Sequence, residues 1–224
     1  MIGLRILQRR RAVDLALARQ FLDVPVANVS DCMARMTAAG ARLRPMHRSA
    51  RMAGPALTIK TRPGDNLMIH KALQLAVPGD IIVVDGGGDL TNALIGEIMT
   101  GDAMRQQLGG IVINGAIRDA DWIAERDFPV FAAGVTHRGP YKDGPGEINV
   151  PIAIDGMVIE PGDLVIGDGD GLLCVPFDQV ETLLAAARAK QEVEARMVAD
   201  IEAGTLDRAW VDATLTRLNC FIER

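Results

Sequence analysis

Hydrophobic and polar positions fall into two periods along this chain. Ile81-Ile82-Val83-Val84 and Gly110-Ile111-Val112-Ile113-Asn114 are continuous apolar runs, the pattern of strands covered on both faces. Residues 97–107 between them have helical spacing. Strand, helix and strand within about 35 residues predict a right-handed parallel βαβ unit. Upstream, residues 4–21 predict one helix, with Leu4, Leu7, Leu15 and Phe21 on one face and Arg5, Arg9, Arg10, Arg11 and Arg19 elsewhere. Ser30-Asp31 predicts the cap of a short helix ending near Gly40. Ala56–Lys60 predicts a strand. Gly64-Asp65-Asn66 opens a helix through Ala76, which Pro78-Gly79-Asp80 stops by turn chemistry.

Beyond Pro129 the spacing shortens. Val130-Phe131 predicts a short strand and residues 137–147 a loop rich in Gly and Pro. Several short strands follow, with turns at Asp155-Gly156, Pro161-Gly162-Asp163 and Asp168-Gly169-Asp170-Gly171. Asp178 is expected to cap a long helix through Ala203, with Gly204 at its C′ position. Residues 206–222 predict one more helix. The turn Pro78-Gly79-Asp80 is echoed by Pro161-Gly162-Asp163, each before an apolar strand. Turn chemistry accounts for the echo without a true repeat.

The 224 residues suit one domain, and 49% hydrophobic with 24% charged residues is ordinary globular composition. The net charge of −5 disfavours nucleic acid as the main ligand. No apolar run approaches the roughly 18 residues of a membrane span. The N-terminus carries no apolar core before a small-residue cleavage site, so a cytoplasmic protein is expected. Three scattered cysteines, Cys32, Cys174 and Cys220, make neither a disulfide framework nor a zinc knuckle, and read as buried thiols in a reducing compartment.

Ligands of parallel α/β units bind beyond the carboxyl ends of the strands. Two loops of the βαβ unit end there, Asp85–Glu97 and Gly115–Asp119, which brings Glu97 near Arg118 and Asp119. Carboxylates can hold a hard divalent cation largely through water. An arginine can grip a substrate carboxylate with two hydrogen bonds. The first N–H groups of the helix, at Ile98 and Met99, can receive negative charge. Plainer readings stand beside these. Arg118-Asp119 also fits a surface ion pair, and Glu97 an ordinary acid in a first helical turn. The Gly86-Gly87-Gly88 loop has Thr91 where a dinucleotide fingerprint needs its third glycine. His70 reads as structural, and Lys60, Lys71, Lys142 and Lys190 as solvated.

These residues, with their surroundings, resemble the RraA-like family. Gly96-Glu97, a twenty-residue gap and Arg118-Asp119 sit in a frame of Gly64-Asp65-Asn66, Pro78-Gly79-Asp80 and Asn114-Gly115-x-x-Arg118-Asp119. Phe128-Pro129-Val130-Phe131, Val150-Pro151-Ile152, Pro161-Gly162-Asp163 and Asp168-x-Asp170-Gly171 fit the same family. The likeness covers residues 22–204. It implies a single α/β domain of the swivelling β/β/α type, flanked by the segments whose own spacing predicts an N-terminal helix, within 1–21, and a helical tail, within 205–224.

That family includes 4-hydroxy-4-methyl-2-oxoglutarate / 4-carboxy-4-hydroxy-2-oxoadipate aldolases and RraA regulators of ribonuclease E. The aldolase likeness implies Mg²⁺ or Mn²⁺ on Asp119, with waters held by Glu97 and by Glu194 of a neighbouring subunit. It implies Arg118, Gly96 and the amides of Ile98 and Met99 around a small 2-oxo acid. It also implies a homotrimer or a hexamer, and oxaloacetate decarboxylation as a side activity. Glu97 stands where the characterised aldolases carry Asp, one methylene or about 1.5 Å longer. A non-catalytic regulator is the alternative, supported locally only by Arg9, Arg10 and Arg11, which a solvated helix face would explain. A related metal enzyme on another small 2-oxo or hydroxy acid is the remaining reading.

Overall fold

A computed structural model describes residues 2–37, 39–48 and 51–223. The chain forms two compact units, the first ending at Ala187 and the second beginning at Arg188. In chain order the elements are β1 (Leu4–Ile6), α1 (Leu15–Arg19), α2 (Val26–Cys32), β2 (Arg44–Pro45), β3 (Met52–Thr61), α3 (Leu67–Leu75), β4 (Ile81–Asp85), β5 (Ala93–Ile95), α4 (Glu97–Arg105), β6 (Gly110–Ile117) and α5 (Ala120–Ala124). They continue with β7 (Val130–Val135), β8 (Gly146–Ile148), β9 (Ile152–Ile154), β10 (Met157–Ile159), β11 (Leu164–Asp168), β12 (Gly171–Val175), α6 (Val180–Ala203) and α7 (Ala209–Arg217).

The first unit is a mixed α/β fold on one central sheet. β3, β4, β6 and β7 run parallel as neighbours. β8 joins β3 antiparallel, β1 extends that edge parallel to β8, and β2 closes the other edge on β7. Ten-residue β3 serves two layers: its first half pairs with the β11–β12 hairpin and its second half with β4. The continuous apolar runs sit as expected. Ile82, Val84, Ile111 and Ile113 pack under α3 and α4, while Ile81, Val83 and Val112 face the opposite core with Phe131, Ile152 and Ile154. Alternation along a strand sends successive side chains to opposite faces, so both faces are dry. Each large aliphatic side chain so buried contributes about 1.5–3 kcal/mol.

The expected helix over 4–21 does not form. Leu4–Ile6 is an edge strand on β8, and only Leu15–Arg19 is α-helical, followed by a single 3₁₀ turn at Gln20–Asp23. Long-range pairing outweighs local helical spacing here. Arg5 meets Glu147 at 2.5 Å, Arg9 meets Asp80 at 2.6 Å, and Arg11 meets Glu160 at 2.8 Å and lies over Phe177. Asp14, within the expected helix, instead caps α1 by accepting the Leu17 N–H at 3.0 Å.

The two Pro-Gly-Asp turns are built alike. Asp80 accepts the Val77 N–H and Asp163 the Glu160 N–H, both at 3.0 Å, with Gly79 and Gly162 at φ +88° and +89°. Both aspartates are buried, and each takes an arginine of the N-terminal segment, Arg9 on Asp80 and Arg11 on Asp163 at 3.6 Å.

Ser30 and Asp31 do not cap a helix either; they lie inside α2. The first turn of α2 is held by Asp168, whose carboxylate accepts the Val26 N–H at 2.9 Å. Asp178 lies in a 3₁₀ turn before α6, and Gly204 ends α6 at φ +71° as expected. Of the cysteines only Cys174 is buried; Cys220 is exposed. No helix among the described residues is long and apolar enough to cross a membrane.

The second unit holds the last part of α6 and the short helix α7. Glu194 lies there and pairs with Lys190 one turn earlier at 3.1 Å.

Candidate active site

The site grows from the register of two strands. β6 does not stop at Asn114; it continues to Ile117 through an irregularity between Ile113 and Ala116. That extension pairs with β5, a three-residue strand not anticipated in the Gly-rich segment, placing Ile95 beside Ile117. The next residues on the two strands are therefore Gly96-Glu97 and Arg118-Asp119. The Arg118 N–H donates to the Ile95 carbonyl at 3.0 Å. Asp119 takes a left-handed conformation at φ +54° and turns the chain into α5. Its carboxylate thereby accepts the N–H of Glu97 at 2.9 Å, at the positive end of the α4 dipole. Arg118 Nε lies 3.7 Å from the same carboxylate oxygen.

Glycine is required at position 96 by contact rather than by backbone conformation, since its φ of −153° is ordinary extended backbone. A Cβ there would lie 2.9 Å from Arg118 Cγ and closer still to Asp119 Oδ2. Gly96 is thus the floor against which both side chains are set.

Gly96, Ile98, Met99 and Arg118 line one cavity of about 250 Å³. That is small beside the roughly 300–1,000 Å³ usual for drug-sized ligands, and suits a compact acid. The same cavity is lined by Asn66, His70 and Lys142, none of which stood out as functional in the sequence. Asn66 and His70 come from the opening turns of α3, and Lys142 from the loop over 137–147. Lys142, expected to be merely solvated, faces this cavity. Burial first, and the Lys142 ammonium second, lower the His70 pKa from its ordinary value, so its ring is neutral near pH 7.

Asp119 lines a shallower depression of about 500 Å³ beside it, with Arg118, Asp121 and His137. Arg118 belongs to both. A groove of about 600 Å³ lies over the N-terminal segment between Ile6, Arg10 and Pro161, and its lining holds no carboxylate.

The chain matches the RraA-like family, described as Aldolase/RraA, over residues 26–174. This chain belongs to the RraA-like family. It is 39% identical over 190 residues to a protein of Halalkalibacterium halodurans named as a candidate 4-hydroxy-4-methyl-2-oxoglutarate aldolase, covering 84% of this chain and 90% of that one. It is 35% identical to a 4-hydroxy-4-methyl-2-oxoglutarate aldolase of Thermus thermophilus over 57% of this chain and 77% of that one. The solved structure titled as the RNA-processing inhibitor RraA from Thermus thermophilis superposes with a TM-score of 0.64 at 30% identity, covering 69% of this chain and 93% of that one. Relatives of this chain thus carry names as different as aldolase and RNA-processing inhibitor.

Proposed function

We propose that this chain is a divalent-metal-dependent class II pyruvate aldolase. It cleaves 4-hydroxy-4-methyl-2-oxoglutarate-type substrates and decarboxylates oxaloacetate as a side reaction. The observation that carries the reading is the pairing of Arg118, which lines the small cavity at the N-terminus of α4, with Asp119, which lines the depression beside it.

The donor set fits a hard, water-rich ion. Among the described residues no three His, Cys, Asp or Glu side chains of one chain converge, which suits no closed zinc-type cage. Mg²⁺ is characteristically held by one or two carboxylates and several waters. Asp119 is 36% exposed, and one of its oxygens is fixed by the Glu97 N–H. Asp119 would hold the ion directly, and Glu97 and a neighbouring subunit's Glu194 would hold it through water. A homotrimer, or two stacked into a hexamer, would supply that neighbour. Mg²⁺ or Mn²⁺ would supply Lewis acidity to the 2-oxo group as negative charge develops.

The chain's own residues do the rest. Arg118 grips the pyruvyl carboxylate and stays beside the charge that appears when the C3–C4 bond breaks. The Ile98 and Met99 N–H groups, which as first-turn donors have no helical acceptor, face the same half of the substrate. Lys142 offers a second cation to a distal carboxylate. Met99 and Leu94 wall the cavity with apolar surface, which strengthens each of these contacts by excluding water. The proton of the C4 hydroxyl leaves to an ordered water.

The regulator reading rests on the name of the structural relative. Against it, two of the three clustered arginines, Arg9 and Arg11, are engaged within the fold rather than presented to RNA. The test is pyruvate release from 4-hydroxy-4-methyl-2-oxoglutarate and from oxaloacetate. Release that stops with EDTA, returns with Mg²⁺ and falls at least about 100-fold in Arg118→Ala is the expected result. Unchanged turnover in Arg118→Ala contradicts the assignment, and co-purification with a ribonuclease without any metal response favours the regulator.

A further inference from the structure

The polar groups assigned to substrate so far, Arg118, Lys142 and the α4 N–H groups, all donate. Helix α3 breaks that rule. Asn66 and His70 are four residues apart at its start, hence on one face, and both line the cavity. Asn66 is 3% exposed. Its amide orientation is fixed: Nδ2 donates to the Leu94 carbonyl at 2.9 Å and lies 3.5 Å from Met99 Sδ, and a flip would set oxygen against oxygen. The other amide atom, Oδ1, is therefore an acceptor, and it is buried with no hydrogen-bond partner. An orphaned buried acceptor is costly, and a functional site is where such a cost is expected to be met by a ligand. His70, neutral near pH 7, keeps an acceptor nitrogen one turn further along the same face.

We infer that Asn66 is the specificity-determining residue for a hydroxyl group on the substrate. The inference rests on the aldolase reading and deepens it. Asn66 Oδ1 accepts from the ordered water that takes the proton of the C4 hydroxyl, and so holds that hydroxyl in register, while Arg118 and Lys142 take the two carboxylates. The α3 face thereby selects 4-hydroxy-2-oxo diacids over the same skeletons without the hydroxyl.

The test compares two substrates on one preparation. Asn66→Ala is assayed with 4-hydroxy-4-methyl-2-oxoglutarate and with oxaloacetate, which has no C4 hydroxyl; the ratio of the two kcat/KM values cancels any loss of folded protein. Asn66→Ser serves as a milder second variant. The ratio is expected to fall about tenfold or more, the penalty for a site that loses its partner for a substrate hydroxyl. The Ki of 4-methyl-2-oxoglutarate, the deoxy analogue, is expected to stay within about twofold. A ratio that stays at the wild-type value, or a Ki that rises in step with the loss of aldol cleavage, overturns the inference alone. A wild-type protein that cleaves neither compound overturns the aldolase reading, and the inference with it.

Discussion

Replacing Gly96 by alanine puts a methyl group where Asp119 and Arg118 now lie. The new Cβ would sit 2.9 Å from Arg118 Cγ, 3.2 Å from Arg118 Nε and nearer still to Asp119 Oδ2. The backbone at φ −153° accepts alanine without strain, so the whole effect is one of contact. Relief requires the Asp119 carboxylate to shift by on the order of 1 Å, which breaks its 2.9 Å bond to the Glu97 N–H. Overpacking costs about 1–3 kcal/mol of stability. At about 2–4 °C per kcal/mol for a chain of this size, Tm should fall by roughly 2–12 °C. Catalysis should suffer more, because a 1 Å displacement of a positioned group costs about 100-fold in rate.

The assay is pyruvate release from 4-hydroxy-4-methyl-2-oxoglutarate, coupled to NADH oxidation. Gly101, inside α4 one turn on, is the control. A Cβ there meets only Trp122 Cη2, at 3.7 Å, so Gly101→Ala should keep full activity and gain about 0.5–1 kcal/mol from helix propensity. Full activity in Gly96→Ala would refute the idea that this glycine seats the Arg118–Asp119 pair.

Other consequences follow from the same geometry. Arg9→Ala leaves Asp80 buried without its cation, and breaking such a pair costs about 3 kcal/mol; thermal unfolding should show a Tm lower by roughly 6–12 °C with residual activity unchanged. Glu147 is held below the usual carboxylate range by the Gly3 N–H first and Arg5 second. A depressed folded pKa gives stability that is present above the unfolded value, about 4.3, and lost as pH falls through the folded one. Glu147→Gln should therefore unfold more easily than wild type at pH 7, and that difference should shrink as the pH falls through the depressed folded pKa; a difference that stays the same at every acidic pH would show a steric cause.

What could be read from the sequence was whatever is decided locally. The strands at 81–85 and 110–114 announce themselves because both faces are buried, and the Pro-Gly-Asp turns because each aspartate reaches only three residues back. The spacing of Glu97 to Arg118 and Asp119 correctly brought those positions together. The sequence points to Glu97 for its carboxylate, whereas it is the Glu97 backbone N–H that meets Asp119.

The failures are all long-range. The N-terminal segment has helical periodicity, but its arginines are claimed by acids more than 70 residues away. The start of α2 is held by Asp168, 142 residues downstream, which no local capping pattern can announce. β5 is too short to show a period. Asn66, His70 and Lys142 join the cavity only through the packing of α3 and the 137–147 loop around β5 and α4. His70 looks structural on a helical wheel because the surface it faces is the cavity wall rather than the core.

The central claim is that Arg118 and Asp119, set beside the start of α4, stabilise a pyruvate enolate with a bound dication. Proton NMR of pyruvate in D₂O reads that step without any aldol substrate. With Mg²⁺ and wild-type protein the methyl signal should decay as deuterium enters, and the decay should stop with EDTA and in Arg118→Ala. A methyl signal that persists with Mg²⁺-loaded wild type, or that exchanges equally fast in Arg118→Ala, would contradict the account.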